Sequence, residues 1–287
     1  MKKKIVSVVL SMTMVAAALA GCGSSETTET AETAETTEAA ETETEEVAEE
    51  AADTEETTEE AAGDATTYVI ATDTTFAPFE FTDADGNFTG IDMEILDAVA
   101  KDQGFAYEIQ SLGFDAAVTA LEAGQADGVI AGMSITDERK EKFDFSEPYF
   151  DSGVVMAVLS DSTIASYEDL SGQVVAVKSG TEGATFAESI QEQYGFTTTV
   201  FDDSATMYQD VVAGNSVACF EDYPVMGYAI SQGLSLTMPT EKEQGSSYGF
   251  AVRKGENQEL LEMFNAGLAN IQENGTYQAI LDKYISE

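Results

Sequence analysis

Residues 23 to 65 are built almost entirely of Glu, Thr, Ala and Ser, with one Val and no aromatic residue, Lys or Arg. Such a segment cannot bury enough apolar surface to offset the entropy of ordering its chain, so it is expected to stay disordered. Folding is thereby confined to the chain from Thr66 onward, about 220 of 287 residues. That length suits one large domain or two lobes. The tract holds 17 acidic groups, from Glu26 to Asp64, within a formal net charge of −42. As a flexible coil it spans roughly 35–40 Å, and self-repulsion stretches it further. Its simplest role is a spacer that lifts a domain off a membrane; a specific acidic interaction tail is the alternative. The rest of the chain is also acidic, which argues against nucleic-acid binding, since that needs basic patches.

The tract follows a leader. Lys2, Lys3 and Lys4 precede an apolar run from Ile5 to Ala20, about as long as a signal-peptide core and short for a membrane span. The run ends Leu19-Ala20-Gly21-Cys22, which resembles the lipobox of a lipoprotein signal peptide cleaved before a Cys. On that reading residues 1–21 are removed, and Cys22 carries a diacylglyceryl group that anchors residues 22–65 to the outer face of the cell membrane. Two acyl chains suffice for stable anchoring. An ordinary N-terminal anchor helix is the alternative. Cys219 is the one other cysteine, so no intrachain disulfide remains once Cys22 is lipidated. It lies in an apolar run and reads as a small core residue. The chain has no His, which excludes Cys/His pairs, Ser/His/Asp triads and His-ligated metals. No metal or other cofactor is expected.

Beyond Thr66, short β-branched runs alternate with amphipathic segments. Tyr68–Ala71, Phe79–Phe81, Val129–Ala131, Val154–Leu159, Val174–Val177, Val217–Phe220 and Tyr248–Val252 read as strands. Helices are predicted over Ile91–Gln103, Phe114 to about Ala123, Glu182–Glu192, Ala205–Ala213, Asn257–Glu273 and Tyr277–Ser286. The first places Ile91, Ile95 and Val99 at i, i+4, i+8 and closes at Gly104. Its Asp92 and Glu94 are expected to complement the positive helix end. Strand–helix alternation implies an α/β fold with parallel sheets and helices on both faces. Two α/β lobes fit this order, residues 66–150 with 249–287 and residues 151–248. The expected crossings lie near Tyr149–Gly153 and Gln244–Gly249.

The most informative stretch is Ala131–Tyr149, which carries Ser134, Thr136 and Arg139 after an apolar run. Between Lys4 and Phe143 the chain's other cations are Lys101, Lys140 and Lys142. A guanidinium beyond a strand's carboxyl end can grip a carboxylate through two parallel hydrogen bonds. The alternative is a surface ion pair with Asp137, Glu138 or Glu141.

This stretch resembles the signature of the bacterial extracytoplasmic solute-binding proteins of family 3, which bind polar amino acids. The resemblance extends in order through Ala71–Phe81, Gly90–Glu94, Val177–Thr181 and Glu273–Tyr277. Its best matches within the family are the glutamine-binding and lysine/arginine/ornithine-binding members. It implies a two-lobed type II periplasmic-binding-protein fold with a two-strand hinge, acting as a monomer that hands its ligand to an ABC transporter permease. The chain has no phosphate-binding loop of its own and is not the motor. Carried over to this chain, the resemblance gives Arg139, Ser134 and donors near Thr181 to the ligand α-carboxylate. It gives Asp222, with acceptors around Gly132 and Met133, to the α-ammonium. Phe76 and Phe114 would sandwich the aliphatic part, while Asp73 and Lys178 would meet the distal group. Glu182 and Glu221 depart from the glutamine-type pattern.

An Asp–Lys pair favours a neutral side chain that both donates and accepts, because burying like charges costs several kcal/mol. Either extra Glu could neutralise Lys178 and readmit Arg or Lys, or reach toward a longer ligand. The expected order is glutamine, then a basic amino acid, then cystine. A ligand-presenting sensory receptor, a cyclohexadienyl dehydratase-like enzyme and an adhesive lipoprotein are the rival functions; no enzymatic activity is expected.

Overall fold

The computed structural model describes residues Thr67 to Ile285. The expectations for the leader, Cys22 and the acidic tract lie outside the described residues, as does Ser286.

A first sheet runs in the order Ala106–Ser111, Thr67–Thr72, Gly128–Val129, Ala251–Arg253, Phe143–Phe145. Thr67–Thr72 is parallel to both of its neighbours, and helices Ile91–Gln103 and Phe114–Glu122 make the crossovers. The last two strands are antiparallel, so the sheet is mixed rather than parallel as expected. Its faces follow from period two. Ile70, Ile130, Phe250 and Val252 point to a core with helices Ile91–Gln103 and Gln258–Glu273. Ala71, Val129, Ala131 and Ala251 point to a second core with helix Phe114–Glu122.

The second sheet orders Leu236–Thr237, Phe150–Leu159, Ala218–Asp222, Val174–Lys178 and Thr197–Phe201, and Glu243–Tyr248 also pairs with Phe150–Leu159. Alternation sorts this sheet as well. Met156, Val158, Val175, Val177 and Phe220 face one core, and Val155, Ala157, Ala176 and Cys219 the other. Cys219 is thus a buried core residue, as its apolar run suggested. These are the two α/β lobes, and two neighbouring strands join them. Phe150 pairs with Tyr248, Asp151 with Ser247 and Ser152 with Ser246. Around this ribbon Phe79 packs edge-on to both Phe150 and Tyr248, with ring centroids 4.9 Å apart in each pair.

Several elements differ from expectation for local reasons. The apolar run Tyr248–Val252 is two strands, one in each sheet, broken at Gly249. The strand expected over Val129–Ala131 ends at Val129, and Ile130 and Ala131 continue as buried loop. Phe79 and Glu80 belong to a turn in which Phe76 N donates to Glu80 O at 2.8 Å; the strand begins at Phe81. Ala106–Ser111 and Thr197–Phe201 are edge strands with half-exposed side chains, so neither shows a strong apolar run. Asp92 and Glu94 are more than dipole complements. Asp92 is fully buried and accepts from Gly132 N. Glu94 ties down the C-terminal helix Thr276–Tyr284 through Tyr284 and Lys283.

Candidate functional site

The first lobe supplies the site from the carboxyl ends of its strands. After Thr72 the chain turns at Asp73, whose Oδ1 accepts from Thr74 N at 2.6 Å. Phe76 follows and packs against Gly132. That glycine has φ 52°, and an added Cβ would meet the Phe76 ring at 2.4 Å, so only glycine fits there. Arg139 opens the short helix Arg139–Lys142. Its guanidinium lies 5.2 Å from the Phe114 ring centroid and donates to Ser134 O at 2.9 Å. It also reaches the other lobe, donating to Gly180 O at 3.0 Å with Glu182 at 3.7 Å. The surface-pair alternative is therefore not what forms: Asp137 is taken by Lys140 at 3.3 Å. Burial lowers the Arg139 pKa, and Glu182 and Asp222 oppose that shift.

The second lobe faces it. Lys178 ends strand Val174–Lys178, is 1% exposed, and forms an ion pair with Asp73, which is 0% exposed. Its ammonium lies 4.8 Å from the Phe76 centroid and 6.0 Å from that of Phe114, within cation–π range. Thr181 caps helix Glu182–Tyr194, its Oγ1 accepting from Ala184 N at 3.3 Å. Glu221 and Asp222 end strand Ala218–Asp222. Three donors surround the Glu221 carboxylate: Ser204 Oγ at 2.9 Å, Tyr208 OH at 2.7 Å and Asp222 N at 2.9 Å. Asp222 accepts from Tyr248 OH at 2.7 Å, and Tyr248 in turn accepts from Ser152 Oγ at 3.0 Å. Burial, then the neighbouring Glu221, pushes the Asp222 pKa up to about 7.

Ten of the residues singled out from sequence come together: Phe76, Phe114, Gly132, Ser134, Arg139, Lys178, Thr181, Glu182, Glu221 and Asp222 line one small cavity between the sheets. Asp73 sits beside it, held on Lys178. Met133 does not line the cavity; its side chain is buried in the first-lobe core, because the turn at Gly132 sends the next residue inward. Sequence reasoning missed Ser152, Ser204, Tyr208 and Tyr248. Ser152, Tyr208 and Tyr248 are polar residues within predicted strands, helices or crossings, where pattern alone marks them as filler, and Ser204 falls just before the predicted helix Ala205–Ala213, although it opens the observed one. A more open groove of about 590 Å³ includes Thr74, Phe81, Tyr208 and Tyr228 in its lining, but no charged side chain. The small cavity presents both signs of charge.

Two α/β lobes closed on a cavity with a guanidinium at one point and buried carboxylates at another define a receptor for a small zwitterion. A profile of the bacterial extracellular solute-binding proteins, family 3, matches residues 68–287, and the chain belongs to that family of amino-acid-binding proteins of ABC transporters. It is 31% identical over 223 residues to the arginine-binding extracellular protein ArtP of Bacillus subtilis, covering 76% of this chain and 86% of that one. Substrate-binding domain 2 of Lactococcus lactis GlnP, in an open conformation, is 45% identical over 78% of this chain and all of that one, with a TM-score of 0.55. An ancestral arginine-binding protein bound to glutamine overlaps better, with a TM-score of 0.71, at 36% identity over 77% of this chain and 98% of that one. The better match in sequence is the poorer match in shape. A different separation of the lobes would produce that, since here Arg139 and Lys178 bridge them.

Proposed function

We propose that the cleft binds L-glutamine and that the closed protein delivers it to a membrane permease for import. The observation that carries the ligand is the charge state of the distal wall. Asp73 and Lys178 neutralise each other, and Glu221 is saturated by donors of its own lobe. The Asp73–Lys178 pair therefore asks the ligand for groups that donate to Asp73 and accept from Lys178, and a carboxamide does both. Arg139, with Ser134 and the helix amino end at Thr181, takes the α-carboxylate. Asp222 takes the α-ammonium, and Phe76 and Phe114 flank the methylenes. The ligand shifts the protein toward the closed form only through its differential affinity for the two states, which here comes from contacts on both lobes. The paired strands Phe150–Leu159 and Glu243–Tyr248 serve as the hinge between residues 66–150 with 249–287 and residues 151–248.

A basic amino acid is the second reading. The cavity holds the carboxylates Glu182, Glu221 and Asp222 against the cations Arg139 and Lys178, with Asp73 beside it, and the relative ArtP is named for arginine. Calorimetry across the twenty amino acids and cystine separates the readings. Glutamine is expected to bind tightest, at about micromolar level or about −8 kcal/mol; tight arginine binding with none for glutamine would reverse the order.

A further inference from the structure

Three buried side-chain oxygens behind the cleft have no hydrogen-bond donor: both of Glu80 and Oδ1 of Asp92. Both residues are fully buried; Asp92 N donates to Phe79 O at 2.9 Å, which sets the two residues side by side, and each carboxyl raises or lowers the proton affinity of the other. The other oxygen of Asp92 is occupied, accepting from Gly132 N at 2.7 Å and from Tyr149 OH at 2.8 Å. Two ionised carboxylates held together out of water repel each other and lack solvation. One proton between them supplies the missing donor. It belongs on Glu80, because the two donors on Asp92 favour its charged form.

We propose that Glu80 is a positioning residue for ligand binding: held neutral, it donates its proton to Asp92, which then fixes the Gly132 turn and the Tyr149 hydroxyl together. Both ends of this chain matter. Gly132 lines the cleft and backs Phe76. Tyr149 donates its N–H to Tyr248 O at 2.9 Å, accepts at its carbonyl from Tyr277 OH, and immediately precedes the paired strand at Phe150. A single buried proton thus holds the cleft wall in register with the strand crossing.

The surroundings set the sign of its pH dependence. Burial is the main force keeping Glu80 protonated; Asp92 and Asp73 add to it and Lys178 opposes it. Tyr149 faces Asp92 and Glu80, with Tyr248 beyond it, and its own hydroxyl is pushed up and stays protonated. Burial, then Asp151 and Asp92, push the Tyr277 hydroxyl up to about 12. Since folding raises the Glu80 pKa, its protonated form is fully present below the ordinary carboxylate range and its contribution is lost as pH rises through the folded value; burial also raises Asp92, to about 6, so the singly protonated pair holds above that pH.

The binding arm rests on the cleft being the ligand site; the infrared and melting arms need no ligand. Infrared spectra of the full chain at neutral pH are expected to show a protonated-carboxyl stretch that Glu80→Gln removes. Asp222 contributes its own band to both proteins, so the difference isolates Glu80; an Asp222→Asn protein should keep the Glu80 band even if Glu80→Gln fails to fold. The glutamine side chain supplies a permanent N–H donor to Asp92. With L-glutamine as the probe, Glu80→Gln should therefore stay within about threefold of wild type at neutral pH, while Glu80→Ala, leaving Asp92 unpaired, should lose about tenfold. As pH rises through the folded Glu80 value the wild type should lose affinity and melting temperature relative to Glu80→Gln, a comparison that cancels titration of the ligand ammonium. Absence of the carboxyl band in Asp222→Asn, or equal losses of affinity in Glu80→Gln and Glu80→Ala, would overturn the proposal.

Discussion

At the residue scale the cleft is a balance between burial and charge. Asp222 shows it directly, since it is proposed to meet an ammonium as a carboxylate while burial and Glu221 raise its pKa to about 7. Without ligand, folding raises this group above its ordinary value of 3.8. Its stabilising contribution is therefore present below that value and lost as pH rises toward 7. Ligand binding has the opposite sign, because the ammonium needs the ionised form. Affinity is expected to fall by up to about tenfold per pH unit below 7, read by calorimetry from pH 8 to 5, and Asp222→Asn should abolish binding. A flat profile would remove Asp222 from the ammonium site. Arg139 was visible in the sequence as a scarce cation with the right neighbours. Its partner Gly180 O, 41 residues away, was not, because no local pattern reports which backbone carbonyl a long side chain will reach.

At the element scale the site depends on how closely helix Glu182–Tyr194 sits on strand Ala218–Asp222. An added Cβ at Gly183 would lie 2.7 Å from Phe220 O, a backbone atom that cannot swing aside. Alanine's better helix propensity is worth up to about 1 kcal/mol, and overpacking costs about 1–3 kcal/mol, so the steric term wins. Gly183→Ala is expected to lower stability in urea unfolding and to weaken ligand binding, because the shift displaces Thr181 and Asp222 relative to each other. Wild-type values in both measurements would show that the contact relaxes freely. Elements were legible where periodicity and caps agreed: Ile91–Gln103 was predicted to the residue, with Gly104 left-handed at φ 74°. They were illegible where an apolar run crosses between lobes. Tyr248–Val252 reads as one strand, yet Tyr248 pairs with Phe150 and Ala251 with Val129 and Phe145. Continuity of hydrophobicity says that residues are buried, not in which sheet.

For the whole molecule, the leader and acidic tract are proposed to hold the receptor at the outer face of a membrane. Among the described residues no helix is long and apolar enough to cross one; attachment through lipidated Cys22 is proposed from the Leu19–Cys22 motif. A Cys22→Ala protein is expected to appear in the soluble fraction after cell fractionation and still bind ligand; full retention on membranes would rule out that anchor. Chain order and composition alone were enough for the strand–helix alternation, the absence of histidine chemistry and most side chains that line the small cavity. All of these are local or compositional properties. Only the tertiary structure decided the pairings: Lys178 with Asp73 across 105 residues, Tyr248 with Asp222 across 26, and Asp92 with Gly132 across 40. The first of these joins the two lobes, and the other two are long-range contacts within one lobe. Whether a buried charge is paired, saturated or sharing a proton depends on neighbours that chain order does not specify.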